Sequence, residues 1–436
     1  MKKLLLSLSL LLSCFAYAEK VTVHVKEAGT LSSYIDESQK YKITSLTITG
    51  QINGDDVDLI RNMAGGSLFS GYTNGKLEYL NIKEALVVQG GSYTTGGWTY
   101  STSNLEIGSS MFAYLSKLRT IILPETTKRI SSRAFTECNG LEEIVIPDNV
   151  FAISYESFAK CANLKTITIG ENLSELSGGW NFSFCPKLKK FIVSEENEHF
   201  KSVDGILFSK DGKTLICYPN ARSSNYNIPV DVTLGACSFA GCVDLEYIEI
   251  PEGTDYLEVG IFAFCTGLKS IKLPTTLKEL SSEVFVGCTS LTSVTIPKDV
   301  YSINNSFVGC ENLRTIYSMN PTPPYADFSY GVNIIECTVF VPKGSYKAYS
   351  KAEGWRYFLN IKEMDFSDIE SIHSNRIYAE NGMIIVESNE IHPIEVYSIS
   401  GKLVKQTAPT GNISIAVCPG VYVVKAGKET KKIIVE

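Results

Sequence analysis

Four histidines, twelve cysteines and one run of aspartates are the residues of this 436-residue chain best suited to chemistry. Histidine and cysteine at short fixed spacings bind metals, and a cysteine or serine beside a base becomes a nucleophile. The histidines do not fall that way. His24, His199, His373 and His392 are scattered, and none has a second His or a Cys at ligand spacing. No Gly-x-Ser-x-Gly elbow, phosphate loop or dinucleotide fingerprint follows a candidate strand. Asp55-Asp56-x-Asp58, after Asn53-Gly54, is the densest acidic cluster. It lacks the full spacing and distal Glu of a calcium loop, and it suits the first turn of a helix. The expectation is a chain that is not an enzyme, with no catalytic residue, no metal and no cofactor.

The cysteines obey a different rule. Cys138, Cys161, Cys185, Cys242, Cys265, Cys288 and Cys310 are spaced by 23, 24, 57, 23, 23 and 22 residues. Each closes a Phe-x-x-Cys-x-x-Leu phrase or a variant of it. The phrase Leu-x-x-Ile-x-Ile-Pro precedes it, as in Leu141–Pro147 with Phe158 and Cys161, or Leu268–Pro274 with Phe285 and Cys288. A fixed period of this size means stacked coils, because one coil cannot bury its own apolar face. The seven repeat cysteines are expected as a ladder of buried free thiols filling the coil interior. With coils about 4.8 Å apart, cross-coil disulfides are the alternative.

The elements that carry this period are short. In Glu143-Ile144-Val145-Ile146-Pro147 the side chains alternate, which predicts a strand with Ile144 and Ile146 inward and Pro147 ending it. The return segment through Phe158 and Cys161 is expected as a helical turn or a short 3₁₀ stretch. The predicted fold is a solenoid of short parallel strands plus such turns, a curved rod, followed by a small all-β sandwich. Residues 19–113 read as an N-terminal cap with degenerate repeats, and 114–361 as the repeats and their C-terminal cap. The aromatics Tyr346, Tyr349, Trp355 and Phe358 are placed to seal the exposed core. Two alternating runs around Asp211-Gly212 predict a β-hairpin at 205–219 that replaces one back segment and explains the 57-residue cysteine gap. Residues 362–376 read as a linker and 377–436 as the sandwich.

At the start, Lys2 and Lys3 precede an apolar run to Leu12, and Ala16-Tyr17-Ala18 is a small-x-small site. This predicts a secretory signal peptide, 1–18, cleaved after Ala18. Leu11-Leu12-Ser13-Cys14 is the competing lipoprotein site. A net charge of -7 with interspersed signs argues against nucleic acid as a partner. Two surfaces are candidates for binding. One is the outward face of the strands, a row through Ile122, Val145, Thr168, Ile192, Glu249, Lys272, Thr295 and Tyr317, with a parallel row that includes Tyr247. The other is Gly90–Tyr100, whose Tyr93, Trp98 and Tyr100 on a glycine-rich loop would stack on sugars or anchor an interface; a cap loop with Trp98 over apolar surface is the plainer alternative.

The phrases Leu-x-x-Ile-x-Ile-Pro and Ala134-Phe135-Thr136-Glu137-Cys138 resemble the BspA-like bacterial leucine-rich repeats, from about residue 105 to 361. The resemblance implies a secreted or surface-exposed binding protein or adhesin, whose partner is a protein or glycan on a host or neighbouring cell; a glycan-binding accessory surface protein and a purely structural cell-envelope protein are the alternatives. Val396-Tyr397-Ser398-Ile399-Ser400-Gly401-Lys402-Leu403-Val404, then Pro419-Gly420-Val421-Tyr422-Val423-Val424, resembles the type IX secretion sorting domain of Bacteroidetes. That implies an outer-membrane secretion machinery as a partner of 377–436; an accessory β-domain is the alternative.

Overall fold

Alternating Ile and polar residues build the main face of the molecule, in four successive parallel sheets. In Glu143–Ile146 and Thr166–Ile169 the isoleucines are buried and Glu143, Val145, Thr166 and Thr168 face outward. Neighbouring strands pair in parallel, Ile144 beside Ile167 beside Phe191. The pattern returns as Ile248 beside Ile271, and as Val294 beside Ile316 beside Val339. This main face opens with Glu19–Val25 against Ile43–Ile52 and closes with Asn360–Met364 against Thr338–Pro342. The computed structural model describes residues 19–66, 73–222, 226–328, 330–366, 376–380, 382–407, 410–427 and 429–435. The expected leader, the Cys14 lipidation site and His373 lie outside the described residues, as does most of the expected linker.

The return segments differ from expectation. They are tight turns rather than helix, and a single 3₁₀ stretch, Gly179–Phe182, stands among the described repeats. Most coils also carry a second strand, of two residues or, at Ser302–Asn304, of three. Glu106–Ile107, Arg129–Ile130, Ala152–Ile153 and Glu175–Leu176 form one parallel flank sheet, and Tyr256–Leu257, Glu279–Leu280, Ser302–Asn304 and Tyr325–Ala326 form another. A strand of two residues is too short to show period-two alternation, which is why the sequence pattern does not reveal it.

The Phe and Cys of each repeat stack in columns behind the sheet. Phe112, Phe135, Phe158 and Phe182 lie ring over ring at 5.5, 5.1 and 6.0 Å. Tyr218, Phe239, Phe262, Phe285, Phe307 and Phe328 continue at 4.9–6.4 Å. The cysteines are free and buried, and each is tied to the coil before it. Sγ of Cys161, Cys185, Cys265, Cys288 and Cys310 donates to the carbonyl of the preceding repeat's Phe at 3.1–3.2 Å. A thiol is small enough for the interior and still offers a weak donor to a buried carbonyl. Burial pushes the Cys138, Cys242 and Cys310 thiols up to about 12. Because the thiolate is the reactive form, a thiol reagent at pH 8 should label native protein beginning at Glu19 only at exposed Cys418. In denaturant without reductant it should label all eleven described cysteines; any native labelling within the ladder contradicts this packing.

The hairpin forms as Ile206–Ser209 against Thr214–Cys217, with Phe200–Val203 as a third strand. Tyr218 takes the place of the missing Phe at the head of the second ring column, and Cys242 Sγ reaches its carbonyl at 3.8 Å. The hydrophobic interior divides here into two clusters, one on each side. At the C-terminal end Tyr349, Trp355 and Phe358 are buried and cover Phe328, whereas Tyr346 stays exposed. The last module is a sandwich of a three-stranded and a four-stranded antiparallel sheet around Ile384, Val396 and Val424. Its first strand, Arg376–Glu380, begins one residue before the expected start of the sandwich at 377.

Ion pairs 22 or 23 residues apart join successive coils along the edge of the main face. Glu142 accepts from Lys165 Nζ at 2.7 Å and from Arg119 Nε at 3.1 Å, one on each neighbouring coil. These two hydrogen bonds, Lys165 first, hold the Glu142 carboxyl down at about 2. A depressed folded-state pKa stabilises above the unfolded value, and that contribution is lost as pH falls from about 4.5 through about 2. A carboxyl NMR titration should therefore find Glu142 ionised at pH 3, and Glu142→Gln should flatten the stability profile across that window.

Candidate binding surface

The acidic cluster resolves into a structural device. The helix Gly54–Met63 starts with a capping box between Asn53 and Asp56. Asp56 is 1% exposed and accepts three backbone N–H groups, from Gly29 at 2.6 Å, Leu31 at 2.8 Å and Asn53 at 2.9 Å. Asp55 takes the Ser92 N–H at 2.9 Å and Asp58 the Thr94 N–H at 3.3 Å. All three carboxylates are thus spent on joining the helix to the segment at Gly29–Leu31 and to the strand Gly90–Thr95. Arg61 lies buried on the same helix, its Nη1 on the carbonyls of Ser110, Met111 and Ala113 at 2.9–3.2 Å. Among the described residues no group of three or more His, Cys, Asp or Glu is arranged to hold a metal.

The residues from Gly90 to Tyr100 are not a loop. Gly90–Thr95 and Trp98–Thr102 pair as an antiparallel hairpin over the helix, turning at Gly96-Gly97. Tyr93 is turned inward at 1% exposure, donates its hydroxyl to the Ser109 carbonyl at 2.9 Å and stacks on Tyr100 at 5.6 Å. Burial pushes its pKa well above the usual tyrosine value. Tyr93 is therefore removed from the candidate surface as a direct contact. Trp98, expected in the plainer reading to cover apolar surface, is instead 71% exposed at the hairpin tip, and Tyr100 is half-buried.

On the main face the outward row holds in register. Val145 lies beside Thr168 and Ile192, Tyr247 beside Ser270, Glu249 beside Lys272, and Thr295 beside Tyr317 and Phe340. Val145 and Ile192 are exposed apolar positions. Glu249 and Lys272 neutralise one another at 3.1 Å, and Tyr317 stacks on Phe340 at 5.2 Å. The strand Met383–His392 of the C-terminal module passes close to Ser270–Lys272.

The second flank sheet adds a surface that sequence reasoning missed. Tyr256, Glu279, Ser302 and Tyr325 stand side by side across four coils, with Tyr301 donating to Glu279 Oε2 at 2.6 Å. The corresponding row of the first flank is Glu106, Arg129, Ala152 and Glu175.

Parallel coils of about 23 residues, a ring and thiol column behind a parallel sheet and aromatic end caps define a leucine-rich-repeat solenoid. The chain matches the BspA type leucine-rich repeat region in six copies, over residues 98–210 and 217–329, and it belongs to that family. Among solved structures it is similar to the pneumococcal vaccine antigen PcpA, at 22% identity over 76% of this chain and 82% of that one, TM-score 0.51. It is also similar to a leucine-rich cell surface protein of Faecalibacterium prausnitzii, at 21% identity over 76% and 82%, TM-score 0.44. A leucine-rich-repeat protein of Bacteroides ovatus matches at 23% identity over 74% and 84%, TM-score 0.35. No curated protein matches the chain.

Proposed function

We propose that this chain is a secreted or cell-surface binding protein or adhesin, not an enzyme, which recognises a macromolecular ligand non-covalently along the solenoid. The observation that supports this best is the lateral register of outward side chains on successive coils within the main-face sheets. A rigid face of this kind suits many modest contacts rather than one pocket. Its proposed contact residues are Tyr247, Glu249, Lys272 and Tyr317. Purified protein beginning at Glu19 should bind immobilised host-matrix protein, and Tyr247→Ala with Tyr317→Ala should weaken binding about tenfold at an unchanged melting temperature. Equal binding by the variant would remove the main face from consideration.

The leader at 1–18 and the likeness of 377–436 to a sorting domain support delivery to the cell exterior, with that module engaging an outer-membrane export machinery. The intact mass of the protein from the native surface fraction tests both. A chain starting at Glu19 and ending near residue 376 fits a cleaved leader and a processed sorting signal. Lipid on Cys14 with Glu436 retained makes it a lipoprotein with an accessory module. Glycan capture is the second reading, favoured by the exposed Trp98 at the hairpin tip. Trp98→Ala should then abolish binding of soluble glycans and leave matrix-protein binding intact.

A further inference from the structure

We propose that the second flank sheet is a separate docking surface for an extended, cationic polypeptide laid along the solenoid axis. Tyr256, Tyr301 and Tyr325 are 42%, 58% and 62% exposed there, although a flank strand needs no aromatic on its solvent side. Between them Glu279 presents a carboxylate in the same row. At one end the Tyr256 ring borders a cleft of about 620 Å³ whose walls carry Asp231, Asp255 and Glu258. Among the described residues none of these four carboxylates has a Lys or Arg at ion-pair distance; Lys278, the nearest cation in sequence, is paired with Asp299. At the other end Tyr325 and Tyr357 border a second cleft of about 500 Å³ with Asp327 and Glu353.

Charge decides the class of partner. Tyrosine faces with unneutralised carboxylates attract an ammonium or guanidinium, by the ring quadrupole and by the charge. The second cleft already contains the arrangement: the Arg356 guanidinium sits 4.9 Å over the Tyr357 ring and 3.4 Å from Glu353. The first flank is the internal contrast. There Arg129 answers Glu175 at 3.9 Å and lies over Phe151, and no tyrosine stands in the row. Three coil steps separate Tyr256 from Tyr325, about 14 Å at roughly 4.8 Å per step, a span that about four extended residues cover. An extended strand of that length therefore spans the row from the acidic cleft beside Tyr256 to the Tyr325 ring, with basic side chains for that cleft and for Glu279.

The test is fluorescence anisotropy of a labelled oligolysine of about eight residues, long enough to cover this span. The wild-type protein should bind it, more weakly as salt rises. Tyr256→Ala with Tyr325→Ala, and separately Glu279→Lys, should each weaken binding about tenfold with the melting temperature unchanged. Glu175→Lys, the same charge change on the first flank, should not. The proposal is overturned if Glu175→Lys weakens binding as much as Glu279→Lys, since only net charge would then matter. It is also overturned if the tyrosine variant binds normally, or if the tyrosines bind a neutral oligosaccharide and not the oligolysine. None of these residues belongs to the main face, so failure here leaves the main-face reading standing.

Discussion

Asp56→Ala is expected to destabilise the N-terminal cap by about 3–5 kcal/mol, because three backbone donors lose their acceptor at once. Each buried N–H left without a partner costs about 1–3 kcal/mol, and the lost helix cap adds about 1. The Gly29 and Leu31 donors come from a segment before the strand Ile43–Ile52, so one carboxylate fixes that segment to the helix start. Asn53 alone cannot replace it, since its own side chain accepts from Asp55. Asp56→Asn should recover only part of the loss: it keeps one acceptor oxygen but turns N–H donors toward N–H donors. Chemical denaturation gives the magnitude. Amide exchange gives the location, with protection expected to fall first at Gly29, Leu31 and Asn53. A loss below about 1 kcal/mol would mean that water replaces the carboxylate and that the cap is held by Val57 and Ile60 packing instead.

What could be read in the residues divides along physical lines. The repeat period, the thiol ladder and the outward row were legible because each follows directly from equivalent residues that recur every 22 to 24 positions and stack laterally. The flank sheet was not, because its strands spend only two or three residues each and present Tyr256 and Tyr325 without any alternating run around them. Tyr93 was misplaced for a related reason. Ser92, Tyr93, Thr94 and Thr95 do alternate out and in, but the surrounding glycines dominate the local signal and suggest a loop. The acidic cluster was legible as a helix start and not as a fastening. Nothing in Asp55-Asp56-x-Asp58 indicates that three adjacent carboxylates serve partners 25 to 37 residues away.

The left-handed turn before each cysteine shows the same limit. Gly241, Gly287 and Gly309 hold it with φ of +70° to +77°. In other coils Glu137, Lys160 and Phe264 hold it at +58° to +61°. Such residues carry a cost of roughly 1–2 kcal/mol in that conformation, and the stacked coils on either side impose it. A composition-based reading places turns where glycine occurs and has no means to see them at a glutamate or lysine. Packing against neighbouring coils overrides the local preference, which locates much of the fold's stability between repeats rather than within them.

The ring column tests that conclusion most directly. Phe285 is fully buried between Phe262 at 5.7 Å and Phe307 at 5.4 Å, and its carbonyl accepts Cys310 Sγ at 3.2 Å. Phe285→Ala removes the ring from both contacts and leaves a cavity that two flanking coils cannot close independently, an expected loss of about 3–5 kcal/mol. Phe285→Leu keeps most of the volume and should cost appreciably less, isolating the cavity from the chemistry of stacking. A double-mutant cycle with Phe262→Ala then measures coupling between adjacent coils, expected at about 0.5–1.5 kcal/mol for a stacked pair. The same cycle between Phe285 and Phe135, which lie in different hydrophobic clusters, should give a coupling near zero. A measurable value for the adjacent pair with none for the distant pair places the energy of the column in direct ring-on-ring contact between neighbouring coils. Equal values for both would mean that the substitutions act through a change shared by the whole chain rather than through the stacked rings.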